Sequence, residues 1–314
     1  MDRIEAMTVF IAALDEGSLA GAGRRLGKSP AAVSRAIAFL ENHVGTELLH
    51  RTTRTIKLSE AGERYAAACR RVLADLLEAD LSAAGEKAAP RGTLTITAPP
   101  ISGEEILRPV IDAYIEAFPT VAVNLVLLDR HANLVEEGID VALRVAHLPD
   151  SSLVAIKVGD GVKRVVVASP RYLADNPEIR EPADLARHRI VANLTQGTES
   201  WTFPPAEGSS ISRTVHFKPR LVVNSVRAAL ASAAEGHGVT RLFTYHVAER
   251  VRDGSLKIIL RDAEHAAMPV HLLVPQGRLA VPKVRSFVDF AAPRLRAAFA
   301  RLSAEAGALA EEDD

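Results

Sequence analysis

The stretch Ser29-Pro30-Ala31-Ala32-Val33-Ser34-Arg35 combines a helix start, two hydroxyls and one guanidinium. Serine is a preferred N-cap and proline suits the first helical position, so a helix begins here. Val33, Ile37, Leu40 and Val44 follow at spacings of four, three and four and form its expected buried face. Ala31, Ser34, Arg35 and Ala38 are then turned outward. A small polar face with one arginine fits a DNA major groove, where arginine bonds guanine and serine bonds base or phosphate. Ser18 starts another helix, and with Ser29 it sets two helix N-termini where backbone N–H groups meet phosphates. Further on, Arg51-Thr52-Thr53-Arg54 is a basic turn ahead of Thr55-Ile56-Lys57-Leu58, which alternates like a strand. Arg51, Thr52 and Arg54 are the expected contacts of such a wing.

Charge is distributed accordingly. From Arg24 to Lys57 the basic residues are Arg24, Arg25, Lys28, Arg35, Arg51, Arg54 and Lys57, against Glu41 and Glu47. The formal net charge of the whole chain is −1, so this segment gathers positive charge that the chain lacks overall. A solvated basic surface on a helical bundle is the alternative. Three short helices, a basic wing and a long following helix together favour DNA.

The elements that position this face are legible. Ile4, Met7, Phe10, Ile11 and Leu14 give a first helix that stops before Gly17. Leu19, Ala22 and Leu26 give a second that ends at Gly27, and Gly45 ends the third. Ser59 caps a long helix over about 60–84. In it Tyr65, Cys69, Val72, Leu76, Ala79 and Ala83 repeat at four, three, four, three, four, an a/d seam that predicts pairing with a second copy. A helix packed on its own domain is the other reading of the same pattern. Cys69, the single cysteine, is a redox switch or a small core residue, and the core reading is favoured.

Residues 85–92 read as a linker, after which strands and helices alternate as in an α/β domain. Strands are expected at Leu94–Ala98, Val121–Leu128, Ile139–Val145 and near 163–168, 189–194, 219–223, 239–242, 256–260 and 270–274. Helices are expected at 103–118, 131–137, 225–235, 245–252 and 282–302, and Glu311-Glu312-Asp313-Asp314 is an acidic tail. Val121–Leu128 is almost continuously apolar, like a parallel strand covered on both faces. Ligands of α/β domains sit at strand C-termini and helix N-termini. Pro99, Pro100, Ile101 and Ser102 follow the first strand, and Thr195 and Gln196 follow the strand at 189–194. Asn224-Ser225 precedes a helix whose free N–H groups suit a carboxylate. A plain loop and a plain N-cap are the alternatives.

Met1 to Tyr65 resembles the DNA-binding region of the LysR-type transcriptional regulators. The resemblance rests on Met7-Thr8-Val9-Phe10, Gly17-Ser18, Arg24-Arg25-Leu26-Gly27, Ser29-Pro30-Ala31-Ala32-Val33-Ser34, Leu40-Glu41, Leu48-Leu49, Arg51-Thr52-Thr53-Arg54 and Leu58-Ser59-Glu60-Ala61-Gly62. The subgroup with an Arg-Thr-Thr-Arg wing is the most similar. Gly138-Ile139-Asp140-Val141-Ala142-Leu143-Arg144, Ala168-Ser169-Pro170-Arg171-Tyr172-Leu173 and Lys283-Val284-Arg285-Ser286-Phe287-Val288-Asp289-Phe290 extend it more weakly. Two departures stand out. Gly21 and Gly23 replace the usual alanines and weaken the second helix by about 1 kcal/mol each. Pro99-Pro100 replaces hydroxyl residues, which argues against a carboxylate held by that loop.

The resemblance implies an α+β chain in parts. A winged helix-turn-helix over 1–59 leads to a linker helix and hinge over 60–90. A two-lobed α/β effector domain over 91–302, similar to periplasmic solute-binding proteins, comes before an acidic tail over 303–314. Lobe I would be 91–162 with 269–302, lobe II 163–268, and the crossings would fall near 161–168 and 263–272. It also implies binding to double-stranded DNA at a dyad promoter site, a dimer assembling to a tetramer, and contact with RNA polymerase. The effector would be a small organic acid or an aromatic metabolite.

Composition narrows the alternatives. A chain of 314 residues, 48% hydrophobic and 25% charged, suits two or three globular domains. One cysteine forms no internal disulfide and fits a reducing cytoplasm. No run reaches the roughly 18 apolar residues of a membrane helix, and the N-terminus lacks a signal-peptide core, so no membrane partner is expected. An enzyme is disfavoured. Gly27-Lys28-Ser29 has Ala22 where a phosphate loop needs glycine. Gly159-Asp160-Gly161 and Gly236-His237-Gly238 have Arg164 and Arg241 where a dinucleotide fingerprint needs its third glycine. The ten histidines lack metal-ligand spacing, and neither cofactor nor metal is expected. A solute-binding protein without DNA binding fits only the second half of the chain.

Overall fold

Helix signals in the first part fold as three helices, α1 (Arg3–Asp15), α2 (Leu19–Leu26) and α3 (Pro30–Val44). The computed structural model describes residues 1–51, 56–83, 89–130, 132–146, 153–195, 197–206, 208 and 210–311. Two units are distinguished, Met1–Gly92 and Thr93–Asp314. In the first unit Ser18 and Ser29 cap α2 and α3, and Gly27 and Gly45 end them in left-handed conformations. The turn between α2 and α3 is tight. A Cβ on Gly23 would lie 2.5 Å from the Lys28 carbonyl oxygen, so the glycine that weakens α2 is what lets the turn close. The core joins Phe10, Val33, Ala36, Ile37, Leu40, Leu48 and Cys69. Val44 is not part of it. It is 39% exposed, because the last turn of α3 runs beyond the helices it packs on.

A two-stranded antiparallel wing follows, β1 (Leu49–Arg51) with β2 (Ile56–Leu58), pairing Leu49 with Leu58 and Arg51 with Ile56. Then comes α4 (Glu60–Ala83), about 36 Å long. Its expected seam divides. Cys69 is buried in the core of its own unit and Tyr65 packs against Phe10 with ring centroids 6.1 Å apart. Val72 and Leu76 stay exposed. The backbone of Ala79 and Ala83 is helical, while their side chains, like all of Thr52 and Arg54, lie outside the described residues.

The second unit opens with β3 (Gly92–Ala98) and a helical segment: α5 (Pro100–Ser102), a π turn (Gly103–Leu107) and α6 (Arg108–Ala117). The helix therefore starts three residues before the expected 103, using Pro100 at its first turn. Next are β4 (Val121–Leu127), β5 (Val141–Val145) and β6 (Leu153–Val162). With β14 (Met268–Pro275) they form one sheet in the order β4-β3-β5-β14-β6. β3 and β5 are parallel, and β14 is antiparallel to both β5 and β6. β4 lies at the edge with Ala122 and Asn124 exposed, so it is half-covered rather than covered on both faces. The helix expected at 131–137 is a hydrogen-bonded turn, with the Glu137 N–H donating to the Asn133 carbonyl at 2.9 Å. Arg130 holds this turn by a two-pronged contact to Glu137 at 2.7 and 2.6 Å. β6 is absent from the sequence expectations, because Gly159 and Gly161 break its alternation. A Cβ on Gly159 would come within 2.7 Å of Phe299.

The chain leaves this sheet after β6 into β7 (Arg164–Ala168), α7 (Pro170–Ala174), β8 (Val191–Asn193), β9 (Ser200–Phe203), β10 (Arg213–His216) and β11 (Leu221–Val223). α8 (Val226–Ala234), β12 (Thr240–Phe243), α9 (Thr244–Arg252) and β13 (Lys257–Ile259) follow, and β14 returns to the first sheet. β7 lies between β12 and β13, both antiparallel to it. β8 and β11 are parallel. The β9–β10 hairpin is a further element missing from the expectations. α10 (Pro282–Glu311) closes the unit and extends past 302 through residues assigned above to a tail. Behind β5, buried Asp140 accepts from the Thr95 N–H at 2.9 Å and faces Arg278 at 3.2 Å and Lys283 at 3.9 Å.

Candidate nucleic-acid interface and effector cleft

On α3 the burial of Val33, Ala36, Ile37 and Leu40 turns Ala31 and Arg35 outward, with Ser34 and Ala38 half-buried beside them. Pro30 occupies the first turn and Ser29 Oγ accepts the Ala32 N–H at 3.2 Å. Ser18 Oγ accepts the Gly21 N–H at 3.0 Å. Each hydroxyl is occupied as an acceptor and keeps its proton to donate. Five of the sequence-predicted residues, Ser29, Pro30, Ala31, Ser34 and Arg35, thus share the N-terminal half of one helix. Ser18 starts the helix before it. Arg51 ends β1, and its side chain is outside the described residues.

The excess of positive charge is smaller than the local count implies. Lys28 pairs with Glu5 at 2.6 Å, holding that carboxyl below its ordinary value. Arg25 lies 3.6 Å from both Asp15 and Glu16. These partners come from α1, outside the window counted. Arg24, Arg35 and Lys57 are exposed and make no ion pair among the described residues. Glu41 spends its carboxylate inside the unit, accepting the Leu48 and Leu49 N–H groups at 3.0 and 3.2 Å.

In the second unit, Pro99 and Pro100 are half-buried at the C-terminal end of β3. Ile101 and Ser102 are buried and present no surface there. Being inside the first helical turn rather than a loop, they point into the core, and Ser102 Oγ donates to the Pro99 carbonyl at 3.3 Å. Thr195 is exposed after β8, with its N–H and hydroxyl donating to Asn193 Oδ1 at 2.9 and 2.6 Å. Gln196 is outside the described residues. Asn224 and Ser225 are exposed, and Ser225 Oγ accepts the Ala228 N–H at 3.3 Å.

Backbone and ion-pair contacts join these ends. The Leu194 N–H donates to the Val223 carbonyl at 3.0 Å, placing Thr195 beside Asn224. Arg227, two residues past Ser225, pairs with Glu104 and, at 3.0 Å, with Glu105, just past Ser102. Two charged residues at the same ends are not among the sequence candidates. Arg144, near the end of β5, donates to the Leu143 carbonyl at 2.8 Å and reaches Thr97. Asp129 follows β4, and burial raises its carboxyl above its ordinary value while the nearby Arg144 charge opposes this. Arg144 is lowered by the same burial. The available signal was Arg144 itself, the last residue of the Gly138–Arg144 motif. Among the described residues no group of histidine, cysteine and carboxylates is placed to hold a metal.

Comparison with known proteins gives two matches to family models. Residues 4–63 match the bacterial regulatory helix-turn-helix protein, lysR family. Residues 87–296 match the LysR substrate binding domain. An HTH-type transcriptional regulator of Xanthomonas campestris is 32% identical over 91% of this chain and 84% of its own. HTH-type transcriptional regulator PtxR of Pseudomonas aeruginosa is 32% identical over 91% of each. Among solved structures, the full-length virulence activator AphB of Vibrio cholerae aligns with a TM-score of 0.58 at 26% identity. That alignment covers 93% of this chain and 98% of the activator.

Proposed function

The chain belongs to the LysR family of transcriptional regulators, with a DNA-binding helix-turn-helix and an effector-binding domain, and from that premise we propose how it reads DNA and senses its effector. The relatives are transcription regulators and not enzymes. Ser29, Pro30, Ala31, Ser34 and Arg35 enter the major groove, and Ser18, Arg51, Thr52 and Arg54 engage the phosphate backbone. The Arg-Thr-Thr-Arg sequence supports membership of the subgroup that shares it. Residues 60–90 pair two copies through Val72, Leu76, Ala79 and Ala83, setting recognition helices about 34 Å apart on a dyad site. Dimers join into tetramers, and the assembly contacts RNA polymerase in the cytoplasm.

The effector, a small organic acid, binds between a lobe of 91–162 with 269–302 and a lobe of 163–268. Pro99, Pro100, Thr195, Gln196, Asn224 and Ser225 line that cleft, and Arg144 supplies the charge that Pro99 and Pro100 lack. The observation that carries the reading is the outward face of α3, with exposed Arg35 at its centre and a serine cap at its start.

The test is a fluorescence-anisotropy titration against the DNA directly upstream of the protein's gene, with a scrambled duplex as control. Binding at least about 10³-fold tighter than the control, with a steep salt slope, is expected. Equal weak binding to both, and to duplexes selected from a random pool, sinks the reading.

A further inference from the structure

Phe39 is the aromatic residue of α3. Its neighbours Ala36, Ile37 and Leu40 are buried, yet Phe39 is 37% exposed. A lone exposed aromatic is ordinary on a protein surface. This one sits four residues beyond Arg35, hence on an adjoining part of the same face and about 6 Å further along the helix. The charge around it is one-sided. Glu41 is the single carboxylate of α3, and its oxygen is turned to the Leu48 and Leu49 amides. Exposed Arg35 makes no ion pair among the described residues. On α3 itself a polyanion therefore meets a cation and an apolar ring, and the helix's one carboxylate is engaged by backbone amides. Ala31 and Ala38 are small, so the face can approach closely. Within a major groove the apolar feature on offer is the 5-methyl group of thymine, to which a phenyl ring is a suitable partner.

We propose that Phe39 is a specificity residue, packing its ring on a thymine methyl one to two base pairs from the pair facing Arg35. The proposal rests on the reading that α3 enters the major groove. It adds an aromatic contact to a face that otherwise offers the hydrogen bonds of serine and arginine and the small apolar Pro30 and Ala31. Thymine is then preferred over cytosine at that position, because cytosine presents an amino donor and no methyl.

The experiment uses the full chain. Duplexes are selected from a random pool with the wild type, and affinity for the selected site is measured by anisotropy. Each thymine is then replaced in turn by deoxyuridine, which removes the methyl and keeps the base pair. One thymine per half-site is expected to lose about fourfold in affinity on replacement, the worth of a methyl group. Phe39→Ala should bind the thymine site about fourfold more weakly and be indifferent to the replacement, while Phe39→Leu keeps part of the preference. The replacement series leaves the protein unaltered, so it reports even if Phe39→Ala folds poorly. A selected site at which no thymine replacement weakens the wild type overturns the proposal and leaves the groove reading standing. So does a Phe39→Ala variant that stays sensitive to the methyl, or one that changes the oligomeric state in sedimentation, which would make Phe39 a contact between copies. Failure to enrich any sequence overturns the groove reading and this proposal together.

Discussion

Glu41 of α3 holds the backbone of Leu48, accepting its N–H at 3.0 Å and that of Leu49 at 3.2 Å. One carboxylate thereby fixes where the wing starts relative to α3, the helix proposed to read DNA. Leu48 in turn accepts the Ser59 N–H at 3.1 Å, and Ser59 Oγ donates to the Glu47 carbonyl at 2.7 Å. Helix, wing and start of α4 are tied through four consecutive connections rather than by packing alone.

Removing that carboxylate leaves two part-buried amides without it. Glu41→Ala should lower stability by roughly 1–3 kcal/mol and weaken binding to every DNA sequence, since the wing loses its register. Glu41→Gln keeps an acceptor oxygen and should retain most of both. Denaturant unfolding and anisotropy check this pair. Unchanged stability and binding in the alanine variant would show that the wing is positioned by β1–β2 pairing instead.

Arg35→Ala should act differently. If Arg35 bonds a guanine, specific binding falls by about 1–3 kcal/mol and discrimination is lost at one base pair. Competition titrations with single-base variants of the site measure it. An equal loss on all sequences reassigns Arg35 to a phosphate.

The proposed dimerisation through α4 has a narrower basis than its heptad pattern implies, because Cys69 is already buried in its own unit. Among the described side chains of the seam, Val72 and Leu76 are exposed. Val72→Asp with Leu76→Asp should shift the protein toward smaller species in sedimentation without moving its unfolding midpoint. Cys69, buried and with its thiol pushed up by burial, should resist alkylation until the protein unfolds. An unaltered assembly state in the double variant would place the self-association elsewhere.

Much of the first unit was legible because its signals are local: caps at Ser18 and Ser29, stops at Gly27 and Gly45, and a 3.6-residue period between them. What was missed depends on distant partners. Val44 continues the apolar period of α3 but has nothing left to pack on. Lys28 and Arg25 belong to the local basic run, yet their charges are met by Glu5, Asp15 and Glu16 of α1. β6 carries glycines that spoil its alternation, and the reason for one of them, the close approach of Phe299 to Gly159, lies 140 residues away. Ile101 and Ser102 follow the first strand and precede the helix expected from 103, whereas Pro100 already opens that helix. Arg144 and Asp129 come together only through the order of β3, β4 and β5.

His246 gives the second unit a pH dependence. Its ring is buried against Phe243 and Tyr245, and Nδ1 accepts the Phe243 N–H at 3.3 Å. Burial drives its pKa down to about 3 from an ordinary 6.5. The folded protein thus refuses a proton that the unfolded chain binds. The resulting stability is present above about pH 6.5 and is lost progressively as pH falls toward 3, at up to about 1.4 kcal/mol per unit. His188, lowered by burial as well, adds with the same sign. Unfolding between pH 6.5 and 5.5, before carboxylates titrate, should show this slope in the wild type and a shallower one in His246→Gln. Identical slopes would mean that the ring reaches solvent.

Arg227 bridges the helix starts at Pro100 and Val226 through Glu104 and Glu105. All three side chains are about half exposed, so the contact contributes no more than about 1 kcal/mol to stability. Its effect should be local. Arg227→Ala should leave the unfolding midpoint nearly unchanged while amide hydrogen exchange quickens over 99–105 and 224–228, the two ends proposed to face the effector. Exchange confined to one end would show that the ends open independently. Unchanged exchange at both would show that backbone contacts such as Leu194 with Val223 hold the ends together without the ion pair.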